Sequence, residues 1–206
     1  MKYSADILDD VVVKEVFMSK IVLESAAASW QKLVLEAEAR CQMPLNEDLE
    51  SYLVFLLMRH TEKPEITSNI MAMDYLESLA ANGQNQQDKL RDVGDQCLIF
   101  SGLFPKIAER RLVKISYYAN IGVSAYHSLA DTCRTQLQEF YHLLAEEFVR
   151  LMDILQVIRT MNSANEALSP IEAIELWGDT GSKQAFTSAQ EVSDSAICLD
   201  TSVYKH

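Results

Sequence analysis

Between residues 134 and 161 the side chains of Leu137, Tyr141, Leu144, Phe148, Leu151, Leu155 and Ile158 recur in alternating steps of four and three. A strand would turn successive residues to opposite faces, whereas a helix collects this spacing on one stripe. Phe140, Ile154 and Met161 widen the stripe. The pattern is the seam of packed helical bundles, and at ~1.5 Å per residue the helix it predicts is on the order of 40 Å long. Such a helix needs partners, because its seam has nothing to pack on by itself.

The remaining chain supplies them. Segment 20–42 sets Leu23, Ala26, Ala27, Trp30, Leu33, Val34 and Ala37 on one stripe. Residues 5–18 are mixed: Val11-Val12-Val13 favours a strand, but no second strand candidate exists to pair with it, so a helix is expected. Asn46 is placed to cap a helix over 47–60, with Glu47 and Asp48 suited to its first turn. Tyr52 to Met58 makes that helix apolar nearly all round and therefore central. Pro64 opens the next helix, carrying Ile66, Ile70, Met73, Leu76 and Ala80 and closed by Asn82-Gly83.

A helix from Gln86 to Ser101 turns Leu90, Gly94, Cys97 and Leu98 inward, with Gly102 as its stop. Pro105 starts a short basic helix, and 116–132 forms another with Ala119, Gly122 and Ala125 in a small-residue row. Ser169-Pro170-Ile171-Glu172 is a capping box that opens a helix to Trp177. With only 6 Gly and 4 Pro, the chain lacks the turns of an all-β architecture. The expected fold is all-α: one domain over residues 1–178, a bundle of about six to eight helices. From 179 to 206 the composition turns to Ser, Thr, Asp and Gln and the apolar period is lost, which predicts a flexible tail.

Charge narrows the partners. The 30 Asp and Glu exceed the 18 Lys and Arg, for a formal net charge of −12. Such a surface repels nucleic acid and anionic lipid, so both are disfavoured as partners. The N-terminal residues show no apolar signal region, and the longest apolar run, Tyr52 to Met58, is far short of the ~20 residues that cross a bilayer. Cys41, Cys97, Cys133 and Cys198 form no C-x-x-C pair and read as free thiols of a reducing cytoplasm.

Three residue sets stand out as candidate sites. Glu139-x-x-His142, with Glu146 one turn on, has the i, i+3 spacing of carboxylate-bridged metal bundles. A dinuclear centre needs a second such motif, and His60, His127 and His206 have no Glu three residues before them. Tyr118 to Ser124, with Gly122 as the turn, resembles a helix-turn-helix. The bulky Tyr118 and the polar Ser128 and Asp131 occupy positions where that motif needs small and apolar residues, so one continuous helix with Gly122 at a close crossing fits better. Lys106, Arg110 and Lys114 fall at i, i+4, i+8 beside Arg111, with Glu109 the lone acid. This cationic stripe on an acidic chain either pairs with the protein's own carboxylates or docks an acidic partner, phosphate or RNA through forked guanidinium donors.

Leu98-Ile99-Phe100-Ser101-Gly102-Leu103-Phe104-Pro105, then Arg110-Arg111, Tyr117-Tyr118, Gly122 and Ala125-Tyr126, resembles a family of small uncharacterised bacterial all-α proteins. The resemblance covers about 30 residues and implies that this turn and the tyrosine-rich helix form the heart of a bacterial domain. It implies no activity.

No Gly-x-Ser-x-Gly elbow, Gly-rich phosphate loop or patterned Cys–His pair is present. The sequence therefore points to a non-enzymatic interaction or regulatory module without a cofactor, docking a protein partner through Lys106, Arg110, Arg111 and Lys114. The 137–158 seam also offers a homodimer contact. The alternative from another class is a metal-dependent bundle enzyme using Glu139, His142 and Glu146.

Overall fold

The computed structural model describes residues 26–62, 70–134, 136–162 and 167–190. The expected helix over 5–18, the Pro64 helix start and Cys198 lie outside them. The described residues form 10 helices and no strand, an all-α fold with more helices than the sequence pattern suggests. They are α1 (26–41), α2 (Glu47–Glu62), α3 (Met71–Ala80), α4 (Gly83–Gly102) and α5 (Lys106–Arg110). After these come α6 (Ile115–Thr132), α7 (Gln136–Glu146), α8 (Phe148–Asn162), α9 (Pro170–Thr180) and α10 (183–190). None of them is long and apolar enough to cross a membrane.

The chain divides into two compact units, Met1–Glu36 with Leu45–Glu65, and Ala37–Pro44 with Ile66–His206. In the first, Asn46 caps α2 as the sequence predicts, its Oδ1 accepting the Leu49 N–H at 2.8 Å. Gln31 Nε2 donates to Glu50 at 3.0 Å, joining α1 to α2.

In the second unit α4 and α6 form the central pair, flanked by α3, α7 and α8, with α9 on α6. Gly122 makes that crossing possible. A Cβ there would lie 2.4 Å from the Phe148 ring and 2.9 Å from Cys97, so only glycine lets α6 approach α4 and α8 this closely. Polar tethers complete the layer: Tyr126 Oη donates to the buried Asp95 at 2.8 Å, and Gln87 Nε2 to the Thr132 carbonyl at 2.9 Å. Because α6 runs unbroken through Tyr118 to Ser124, the helix-turn-helix reading is wrong.

Three expectations are refined. The helix expected over 134–161 is divided at the single residue Glu147 into α7 and α8, yet helical bonding continues across it: the Glu147 N–H reaches the Leu143 carbonyl and the Leu151 N–H the Glu147 carbonyl, both at 2.9 Å. α7 packs on α6, and α8 packs on both α4 and α6. The seam is therefore internal from Leu144 onward, through Phe148, Leu151, Leu155 and Ile158, whereas Leu137 stays exposed. The buried part of the seam is taken up by packing within its own unit.

α4 does end at Gly102, as expected, but without a left-handed turn there. The cap is Leu103, at φ −93°, and a Cβ on Gly102 would meet Leu155 at 2.5 Å, so the glycine serves close packing against α8.

The tail begins later than composition suggests. α9 closes at Gly181, at φ +74°, and α10 follows with Ser182 and Ala185 buried. Residues 179–190 are ordered by Asp153 of α8. Its carboxylate accepts Ser182 Oγ at 2.5 Å and the N–H groups of Lys183 and Gln184 at 3.0 and 3.3 Å, capping α10 from 29 residues away.

Candidate functional site

α5 is a single basic turn, and the way it ends decides which cations can act together. Pro105 occupies its N-cap position. At the other end Val113 N donates to the Ala108 carbonyl and Leu112 N to Glu109, both at 3.0 Å, with Leu112 at φ +55°. This is a Schellman closure, in which glycine normally takes the left-handed position. The chain turns there, so the expected i, i+4, i+8 row is split. Lys106 and Arg110 remain on α5, and Arg111 and Lys114 point elsewhere.

Lys114 is spent on α9. Its Nζ lies 3.5 Å from Asp179 Oδ2 and 3.6 Å from Glu175 Oε1, and Asp179 also accepts Ser116 Oγ at 2.7 Å. The Ser116 hydroxyl, helped by the Lys114 charge and outweighing desolvation, holds the Asp179 carboxyl below its ordinary value. Arg111 sits against Tyr118, whose phenol is pushed up by burial and only partly pulled back by the guanidinium. With Tyr117 and Met71 these two residues line a cavity of about 340 Å³.

Lys106 and Arg110 meet a third cation that the sequence pattern does not single out. Together with Arg159 of α8 they line a cavity of about 190 Å³, walled by Phe104, Pro105 and Ile107. Arg159 is only 6% exposed, and its Nη1 donates to the Gly102 carbonyl at 3.2 Å, while Gln156 Nε2 reaches the Ser101 carbonyl at 3.4 Å. The C-terminal end of α4 thus holds the guanidinium by the Gly102 carbonyl and the helix dipole. A positioned, buried guanidinium flanked by two surface cations can take one anionic group with forked hydrogen bonds, and the Phe104 side can take an apolar neighbour. The signal for Arg159 was present in the sequence: Asp153, Gln156 and Arg159 interrupt the apolar run of α8 every third residue, and all three are buried.

Beside this basic cavity lies an acidic one of about 200 Å³, lined by Glu109, Lys114, Glu172, Glu175 and Asp179. Glu109 faces Glu172 carboxyl to carboxyl, and the hydrogen bond between them followed by the Glu172 charge holds Glu109 above its ordinary value. Burial would raise Glu172 too, but bonds from Ser169 and Glu109, with the Arg159 charge, outweigh it and leave Glu172 lowered. The predicted capping box is present, Glu172 Oε2 accepting the Ser169 N–H at 2.8 Å.

The metal reading gains no support. His142 Nδ1 lies 3.4 Å from His127 Nδ1 across α6 and α7, and Glu139 and Glu146 are exposed. No group of three or more His, Cys, Asp or Glu among the described residues is placed to hold a metal ion. Cys41, Cys97 and Cys133 are free thiols. Burial, then the Asp153 and Glu38 charges, push the Cys41 thiol up to about 11, and burial raises Cys97 well above its ordinary value, so neither is an activated nucleophile. No family model matches this chain, and no curated protein or solved structure matches it either.

Proposed function

We propose that this protein is a non-enzymatic, cytoplasmic interaction module that docks an acidic segment of a partner protein through Lys106, Arg110 and Arg159. The supporting observation is the convergence of these three cations on one apolar-walled cavity of an acidic chain, with Arg159 buried and fixed by the Gly102 carbonyl. The free thiols of Cys41, Cys97 and Cys133 support a reducing compartment. Charge complementarity of this local kind sets partner choice and encounter rate.

The test is fluorescence anisotropy with a labelled poly-glutamate peptide, on protein dilute enough to be monomeric. Replacing Lys106 and Arg110 together by Ala removes two charge-assisted contacts, and binding is expected to fall by about tenfold or more. Lys114→Ala should leave binding close to wild type, because Lys114 already serves Glu175 and Asp179. Undiminished binding by the double variant, with helical circular dichroism intact, would return α5 to the role of a solvated surface turn.

A further inference from the structure

α9 is apolar on two sides. Its inner face buries Ala173 and Leu176, yet Ile171, Ile174 and Trp177 stand outward, Ile171 at 73% exposure, and form a second row along the helix. Phe186 of α10 extends the row, its ring 4.9 Å from that of Trp177. Single exposed apolar residues are ordinary, but a contiguous row that includes a tryptophan marks a contact surface. The comparable outward row on α3, Ile70, Met73, Leu76 and Leu79, comes with nothing that identifies its occupant.

The surroundings of the α9 row do identify one. Along one flank run the carboxylates of Glu172, Glu175 and Asp179, which with Glu109 outnumber the one cation among them, Lys114, and next to them lies the basic turn that carries Lys106 and Arg110 and leads into Leu112. Leu112 is 94% exposed while held at φ +55°, a strained conformation that leucine rarely adopts, so its side chain stands outward from this face. A face that carries an acidic lobe beside a basic lobe is complementary to itself after a two-fold rotation. Isologous dimers use this arrangement: the same patch serves both subunits.

We infer that the acidic partner is a second copy of this chain. The Ile171, Ile174 and Trp177 rows supply the apolar core of a two-fold contact, and Leu112 with Lys106 and Arg110 of each copy meets the carboxylate flank of α9 in the other. An apolar centre with a charged rim is the usual anatomy of a protein interface. The inference rests on the reading of Lys106 and Arg110 as docking residues and names their partner.

Sedimentation equilibrium of the full chain tests it, from about 1 µM to about 200 µM, a range that brackets weak homodimers. The wild type is expected to move from its 23.3 kDa monomer mass toward twice that value. Ile174→Glu should hold the monomer mass throughout, and the double Lys106 and Arg110 variant should shift the transition about tenfold or more to higher concentration. Leu112→Gly separates docking from folding: it should weaken the dimer while the monomer unfolds at an equal or higher denaturant concentration. A wild type that stays monomeric at the highest concentration overturns the inference, as does a dimer that survives both Ile174→Glu and Leu112→Gly. Poly-glutamate binding is read on dilute monomer, so a chain that binds the peptide but does not self-associate loses this inference alone. A chain that does neither loses the docking reading as well.

Discussion

At the scale of single residues, two positions show how side-chain volume and backbone conformation divide the work. Gly122 has no room for a methyl group, and the atoms that block it belong to a core ring and to Cys97. Gly122→Ala must therefore displace Phe148 or part α6 from α4, at a cost of about 1–3 kcal/mol. Urea denaturation should show a lower midpoint with an unchanged slope; a midpoint equal to wild type would mean that the crossing is looser than described. Leu112 is the converse case, a residue that burdens its own helix end. Glycine at that position should stabilise the monomer by roughly 0.5–1 kcal/mol, since it fits the left-handed Schellman position. The sequence alone supports the first of these readings, because Gly122 recurs on an apolar helical row with Ala119 and Ala125. It does not reveal the second. Nothing in Arg111-Leu112-Val113 announces a left-handed turn, so the cations on either side look like one helical stripe until the turn is seen.

Among the elements, α8 carries most of the organisation. Its buried polar row sends Asp153 to the start of α10 and sends Gln156 and Arg159 to the end of α4. The apolar seam was legible from periodicity, and so were the α2 cap and the α9 capping box, because each rests on local spacing. The docking of α10 was not legible, since its cap lies on another helix and composition near 180 reads as tail. The long helical period through Glu147, by contrast, was legible, since i to i−4 bonding runs across that residue from α7 into α8. Asp153 makes a pH prediction. Burial raises its carboxyl, and the bonds from Ser182, Gln184 and Lys183 offset that only in part. A group whose pKa is higher in the folded chain favours folding below its unfolded value, about 3.9, and that contribution is lost as pH rises through the folded value. The stability of wild type relative to Asp153→Asn should therefore decline as pH is raised from about 3.5 toward neutrality. Asp153→Ala should cost about 1–3 kcal/mol, because the α10 cap and a buried acceptor disappear together. Denaturation midpoints over that pH range check both, and a difference that grows with pH would contradict the assignment.

For the whole molecule, the net charge of −12 remains the frame, but its meaning is local. Carboxylates of α9 hold Lys114, Arg111 turns to Tyr118, and Lys106 and Arg110 share a cavity with the buried Arg159, whose charge also acts on Glu172. Half of this site was readable from the charge pattern of α5. The rest required knowing that the α4 end brings Arg159 beneath it. The central claim is that an acidic group docks in this cavity. It is tested most directly by NMR titration of the dilute protein with poly-glutamate, following the side-chain Nε–Hε signals of Arg110 and Arg159. The account predicts that both signals move in step with bound peptide and that Lys106→Ala weakens the response. Arginine signals at 110 and 159 that stay fixed while peptide binds elsewhere would contradict it.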